Sequence, residues 1–114
     1  MFDLLSPDKL ARIRELNDTL RTTFGGGRVL LTSSVAELAP AMKSAALVAM
    51  AACSDFNDDN DPRSEHDFGR FELGHYTFTW QITYYDADLA GESEDPSDPR
   101  VTKRVLVLGF PADW

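Results

Sequence analysis

One segment, residues 54–67, concentrates the side chains of this chain that are able to do chemistry. Its sequence, SDFNDDNDPRSEHD, holds six carboxylates and one histidine. Asn, Asp, Ser and Pro at this density are typical of turns, so we predict no regular structure here. Neighbouring carboxylates repel one another unless a cation, a basic partner or backbone N–H groups hold them. The segment is therefore either a binding site or a solvated loop, and the sequence leaves both open.

Metal-assisted hydrolysis is one chemistry that this segment can support. The candidate ligands are Asp61, Glu65, His66 and Asp67, whose oxygen and nitrogen donors suit Mg, Mn, Ca or Zn. Their spacing does not match the calcium loop of an EF-hand, and the chain has no His-Glu-x-x-His motif. A divalent-metal-dependent enzyme that uses the cluster at residues 58–67 is thus one hypothesis. A structural role for His66 within the loop is the alternative, and it requires no cofactor.

A second acidic loop is predicted after the strongest strand signal. It holds six carboxylates and no base between residues 86 and 99: Asp86, Asp88, Glu92, Glu94, Asp95 and Asp98. Residues 54–98 together carry thirteen acids against Arg63 and Arg70, a net charge of −11, whereas the whole chain carries −8. Such a field disfavours nucleic acid and anionic lipid as ligands and favours metal ions or a basic protein surface. Simple solubility is the alternative explanation.

The remaining elements form a framework around these two loops. Ser6-Pro7-Asp8 begins a helix whose apolar stripe runs to Phe24, and Gly25–Gly27 end it. Arg28–Thr32 is a predicted strand, followed by a short helical turn that Ser33 or Ser34 caps. The alanine-rich residues 41–53 fit either a helix, which we favour, or a helical turn that leads into a strand, with Leu47, Val48 and Met50 in the core in both cases.

The clearest strand pattern lies in the second half of the chain. Residues 69–73 and 76–85 form a predicted hairpin with Gly74 and His75 at its turn, and the longer strand alternates aromatic and polar residues. Residues 101–110 are apolar on both faces, as in an interior strand. We therefore predict one α+β domain over residues 1–114, in which an N-terminal helix packs on an antiparallel sheet of three to four strands with long acidic loops.

Composition also bears on the cellular compartment. Cys53 is the only cysteine, so no intramolecular disulfide can form. The first residues show no secretory signal pattern, and no apolar run reaches the length of a membrane span. We expect a cytoplasmic protein that does not bind a membrane. Its oligomeric state stays open.

Several motifs together resemble a bacterial domain of unknown function over most of the chain. They are Asn17-Asp18 with Arg21, Asn60-Asp61-Pro62, Glu65-His66-Asp67-Phe68-Gly69, Trp80, Tyr84-Tyr85-Asp86, Asp95-Pro96, and Thr102 with Arg104-Val105-Leu106. Gln81 and Thr83 depart from that family, in which we expect a lysine and an aspartate. The resemblance implies a short cytosolic protein carried on plasmids and other mobile elements, with no established activity.

Charge and resemblance together favour a binding role over an enzyme. A small acidic protein of a mobile element can imitate the phosphates of DNA and occupy the basic groove of a nuclease or a CRISPR effector, as anti-CRISPR and anti-restriction proteins do. The predicted partner contacts are Asp86, Asp88, Glu92, Glu94, Asp95 and Asp98, followed by Asp55, Asp58, Asp59 and Asp61. This hypothesis requires the two acidic loops to share one surface.

Overall fold

The computed structural model describes residues 6–114. The predicted absence of a secretory signal concerns the first residues of the chain, most of which lie outside that range. The helices are α1 (Pro7–Thr23), α2 (Ser33–Ala36) and α3 (Pro40–Ala51), and the strands are β1 (Arg28–Leu31), β2 (Phe68–Leu73), β3 (Tyr76–Tyr85) and β4 (Lys103–Gly109). A 3₁₀ turn, Pro111–Asp113, follows β4. The α+β class is confirmed.

The four strands form one mixed sheet in the order β1-β4-β3-β2. The β2–β3 and β3–β4 pairs are antiparallel, as predicted, whereas β1 runs parallel to β4. That parallel pair is the departure from the predicted antiparallel sheet. It arises because the whole of α2, α3, β2 and β3 separates β1 from its partner, which allows a crossover connection instead of a hairpin.

The core lies between one sheet face and the helices. Phe78, Trp80 and Ile82 of β3 and Leu106 and Leu108 of β4 are buried, in the period-two pattern that the sequence predicts. On the helical side they meet a second set of buried residues: Leu20, Val35, Ala46 and Met50. Residues 41–53 are therefore mainly helix. Val48 is 71% exposed, so its predicted core position is wrong, because the helix presents only one of its apolar faces to the sheet.

Two helix boundaries also differ from prediction. Helix α1 ends on Phe24, whose backbone is left-handed (φ 65°) and whose N–H donates to the carbonyl of Leu20, so the glycines follow the cap and do not form it. Helix α2 is capped by Thr32, which the sequence assigned to the preceding strand. The predicted cap at Ser6 is confirmed, since its hydroxyl accepts a hydrogen bond from the Lys9 N–H at 3.2 Å.

The sheet register places both acidic loops at the same end of the sheet. The first loop enters β2 at Phe68, which pairs with Gln81 in the second half of β3. The second loop joins the end of β3 at Tyr85 to the start of β4 at Lys103, and these two residues pair with each other. None of the helices in residues 6–114 has the length and hydrophobicity needed to cross a bilayer.

Candidate functional site

A buried asparagine on α1 is the centre of the polar network at this end of the sheet. The side chain of Asn17 is fully buried and lies on the buried face of α1 with Ile13, Leu20 and Arg21. Its amide nitrogen donates to the carbonyl of Glu65 at 3.0 Å and to the hydroxyl of Tyr84 at 2.7 Å. Its oxygen accepts from Nε of Arg104 at 2.8 Å. The amide therefore connects α1, β3, β4 and the first acidic loop.

Arg104 links the second acidic loop to the same centre. Its guanidinium donates to the carbonyl of Pro96 and lies over the ring of Tyr84, 5.1 Å from the ring centroid. Asn17 thus binds a backbone carbonyl of the first loop, that of Glu65, and Arg104 binds a backbone carbonyl of the second loop, that of Pro96. Burial is the main cause that lowers the pKa of Arg104.

Tyr84 and Glu65 complete the network. The hydroxyl of Tyr84 donates to Oε1 of Glu65 at 2.7 Å while it accepts from Asn17. Burial, followed by the hydrogen bond to Glu65 and the charge of that carboxylate, raises the pKa of Tyr84 far above its ordinary value. The phenol is therefore held neutral and acts as a fixed donor.

Backbone hydrogen bonds shape the first loop around Asp61. This carboxylate is only 5% exposed, and its oxygens accept from the backbone N–H groups of Glu65 and His66 at 3.2 to 3.3 Å. Ser64 and His66 both have a left-handed backbone, with φ of 57° and 55°. Such strained conformations persist only where surrounding contacts enforce them. Asp61 therefore has the structural role of closing this turn.

His66 lies between two carboxylates and stacks on an aromatic ring. Its Nδ1 is 2.9 Å from Oδ1 of Asp18 on α1, and its Nε2 is 3.7 Å from Oδ2 of Asp61. The imidazole lies 3.9 Å from the ring of Phe56, nearly parallel to it. Both ring nitrogens thus face protein carboxylates, which fixes the histidine as a link between the loop and α1.

Arg21 extends this link into the core. It pairs with Asp18 at 2.9 Å, and its guanidinium lies 5.1 Å from the ring centroid of Phe56 and 5.4 Å from that of Trp80. A cation over aromatic faces is favourable, more so where water is excluded. The contacts from His66 to Asp18 and from Asp18 to Arg21 therefore join the acidic loop to the aromatic residues Phe56 and Trp80.

A cleft of about 490 Å³ opens where the two loops meet. Glu65 and Asp67 line it from the first loop and Glu92 from the second, with Tyr84 between them on β3. Burial raises the pKa of Asp67 against the opposing effect of Arg63, with which it pairs. A carboxyl group with a raised pKa in a cleft is a common feature of functional sites.

The predicted metal ligands do not converge on one point. Asp61 is occupied by backbone N–H groups, Glu65 by Tyr84, His66 by Asp18, and Asp67 by Arg63. Within residues 6–114 no group of three His, Cys, Asp or Glu side chains is placed to hold a metal ion. The cluster as folded is a hydrogen-bonded turn.

The second loop presents an acidic patch, which we define as Asp86, Asp88, Glu92 and Glu94. These four side chains line one depression of about 360 Å³. None of them has a basic side chain within salt-bridge distance in the part of the chain that the structure describes. Asp86 also accepts from the backbone N–H groups of Asp88 and Ala90, so it shapes the loop as well.

The other predicted contact residues of this loop are engaged internally. Asp95 accepts from the hydroxyl and backbone N–H of Ser97 and from Lys9, and these bonds lower its pKa. Asp98 pairs with Arg100, which lowers the pKa of Asp98. Both carboxylates therefore stabilise the loop, and their negative charge is partly offset by internal partners, unlike that of the patch.

In the first loop the predicted contacts divide in two. Asp55, Asp58 and Asp59 are exposed, and Asp55 and Asp59 line a groove beside β2. Asp61 is buried, and its carboxylate accepts hydrogen bonds from the backbone of its own turn, so it is not among the exposed carboxylates of this loop. The loops do meet at the cleft, but the exposed carboxylates of the first loop lie beside β2 and those of the second at the end of β3.

Sequence reasoning missed the central role of Asn17 and Arg104 except through the resemblance. A polar residue within the apolar stripe of a helix was the available signal for Asn17. For Arg104 the signal was a charged residue on the same strand face as the apolar residues Leu106 and Leu108, both of which are buried.

Comparison with known proteins adds a family. A family model described as "Protein of unknown function (DUF3768)" matches residues 31–113. No curated protein and no solved structure matches the chain. The matched range contains both loops and strands β2, β3 and β4. Most of β1 lies outside it, as do Asn17, Asp18 and Arg21 on α1.

Proposed function

The chain belongs to this family of unknown function, and we propose that it is a small acidic binding protein that occupies a basic, nucleic-acid-binding surface of a partner protein. The acidic patch is the proposed contact surface. In keeping with the resemblance of its motifs to a bacterial domain of mobile elements, the proposed partner is a CRISPR effector or a restriction nuclease, and the proposed compartment is the cytoplasm.

One observation carries this proposal: within residues 6–114, four carboxylates without basic partners share a depression on a loop that is held by contacts with β3, β4 and Thr102. The loop is fixed by the hydrogen bond from Arg104 to Pro96, by the bond from the Thr102 hydroxyl to the Asp95 carbonyl at 2.8 Å, and by pairing of Glu92 with Tyr85. A rigid array of negative charge loses little entropy on binding, and it displaces the counterions of a basic groove as DNA does.

The neighbouring cleft extends the negative surface. Glu92 belongs both to the patch and to the cleft that Glu65 and Asp67 line. A long basic side chain of the partner that passes beyond the patch would meet these carboxylates next. Each predicted ligand of the alternative metal-dependent enzyme is already engaged by another group of the fold, which favours the binding role.

The test is inhibition of DNA cleavage by a panel of restriction nucleases and CRISPR effector nucleases. A triple variant, Asp88→Asn, Glu92→Gln, Glu94→Gln, removes three charges of the patch. A matched control, Asp8→Asn, Glu37→Gln, Glu72→Gln, removes three exposed acids elsewhere. We expect the wild type and the control to inhibit at least one nuclease in competition with DNA, and the patch variant to lose inhibition. No inhibition of any member, or equal inhibition by both variants, would refute the proposal.

A further inference from the structure

Strand β2 is an edge strand whose outer backbone groups can be assigned from the register. The N–H of Ile82 donates to the carbonyl of Asp67 at 2.7 Å, so these two residues are a hydrogen-bonded pair of the ladder. Hydrogen-bonded pairs alternate in antiparallel sheets, so the inward residues of β2 are Gly69, Phe71 and Leu73. The N–H and C=O groups of Phe68, Arg70 and Glu72 therefore point away from β3.

These outward groups have no partner within residues 6–114. No backbone or side-chain hydrogen bond reaches them, and β2 is the last strand of the sheet. Proteins usually protect such an edge with charged side chains, a proline, a bulge or a covering segment, because it is a template for another strand. β2 carries two charged residues, Arg70 and Glu72, but it contains no proline and pairs in continuous register with β3, without a bulge.

A groove of about 610 Å³ runs along this edge. One side is the strand itself, from Phe68 to Phe71, and the other is the segment after α3, which includes Asp55, Phe56 and Asp59. The three phenylalanine rings make the groove partly apolar. Asp55 and Asp59 are exposed and have no basic side chain within salt-bridge distance in the described part of the chain.

We propose that this groove binds an extended peptide segment by strand addition. The segment would exchange main-chain hydrogen bonds with Phe68, Arg70 and Glu72 and would direct a basic side chain toward Asp55 and Asp59. Strand addition obtains affinity from the backbone and selectivity from alternate side chains. Asp55 and Asp59 line the groove beside the first half of β2 and favour a segment that carries basic side chains. β2 of a second copy holds one base and one acid, Arg70 and Glu72, so a basic peptide complements the groove better.

The groove is distinct from the acidic patch. It lies beside β2, whereas the patch lies beyond the end of β3, and no residue lines both. This inference therefore goes beyond the proposed function and does not depend on it. Either can fail without the other.

The test uses peptides as probes and backbone amide NMR as the readout. A blocked five-residue peptide of alternating lysine and valine should bind saturably and shift the amide resonances of Phe68, Arg70 and Glu72. A copy that is N-methylated on the residues facing β2 should bind about tenfold or more weakly, since it cannot donate to the strand. A glutamate–valine copy should also bind more weakly, because it meets Asp55 and Asp59.

Protein variants separate the backbone from the side chain. Arg70→Pro removes an outward N–H that makes no bond in the sheet, and prolines are tolerated on edge strands in that orientation. It should weaken the lysine–valine peptide about tenfold, whereas Arg70→Ala, which keeps the N–H, should not. Asp55→Asn with Asp59→Asn should weaken binding several-fold without any change in the fold, which keeps the test valid if Arg70→Pro unfolds.

Four results would overturn the inference. Three concern the peptide: the absence of saturable binding by the lysine–valine peptide at millimolar concentration, equal binding by the N-methylated copy, and resonance shifts confined to residues outside the groove. Shifts of the β2 amides that depend on protein concentration without peptide would assign the edge to a second copy, and would overturn it too.

Discussion

Replacement of Asn17 by alanine should destabilise the protein far more than replacement of an exposed polar side chain on α1. The substitution removes two hydrogen bonds with neutral groups, Glu65 C=O and Tyr84 OH, and one with the guanidinium of Arg104. At about 1 kcal/mol for each neutral bond and about 2 kcal/mol for the charged one, the loss is roughly 4 kcal/mol. The higher helix propensity of alanine restores about 0.5 kcal/mol.

The expected net loss is therefore about 3 to 4 kcal/mol, a large part of the roughly 5 to 15 kcal/mol of stability typical of a domain. Urea unfolding followed by circular dichroism measures it. Thr19→Ala is the matched control, because Thr19 is exposed on the same helix and should change stability by less than about 0.5 kcal/mol. If Asn17→Ala costs no more than Thr19→Ala, the network that joins the two loops does not stabilise the fold and the reasoning fails.

Three further predictions concern pH and packing. Hydrogen bonds from the Phe110 N–H, Thr32 and Ser34 lower the pKa of Asp113, so the stability that this carboxylate contributes is present above about pH 4 and is lost as pH falls through its folded-state pKa. The stability of Asp113→Asn, measured by circular dichroism, should therefore depend less on pH in the acid range than that of the wild type. An unchanged pH profile would contradict this. The raised pKa of Asp67 has the opposite effect on stability, because the stability that this group contributes is present below about pH 4 and is lost as pH rises. The unfolding free energy of Asp67→Asn relative to that of the wild type should therefore increase between about pH 4 and about pH 7. A decrease would refute this. Gly69→Ala should lower the melting temperature and cost about 1 to 3 kcal/mol of stability, because a Cβ at this position would overlap the Trp80 indole, 2.4 Å away. Gly74→Ala is the comparison variant: its Cβ would meet nothing within 4 Å, but its φ is +61°, so any loss of stability there reports backbone strain alone.

Local patterns predicted the elements of this fold well. The Ser6-Pro7 start of α1, the Gly74-His75 hairpin and the buried face of β3 follow from capping, turn and period-two rules. The parallel pairing of β1 with β4 did not follow from any local pattern. It depends on a contact between residues more than seventy positions apart, and neither strand contains a signal for its partner's direction.

The arrangement of the carboxylates in the two loops could not be predicted from the sequence. Residues 54–67 do form an irregular acidic segment, and carboxylates of the second loop are exposed. The spacing of the residues does not show which carboxylates remain available to a partner, because those of Asp61 and Asp95 accept hydrogen bonds from backbone and hydroxyl donors of their own turns. Asn17 connects the loops through contacts with residues 48 to 87 positions away, which sequence proximity does not reveal.

Salt dependence of complex formation is the most direct test of the acidic patch. For a nuclease that the protein inhibits, binding is measured between about 0.05 M and about 0.5 M salt, a range over which screening of exposed charges becomes strong. We predict that the affinity of the wild type and of the Asp8, Glu37, Glu72 control falls steeply with salt, and that the Asp88, Glu92, Glu94 variant binds weakly with a shallow dependence. Equal slopes for the two variants, which carry the same net charge, would contradict a contact made through the patch.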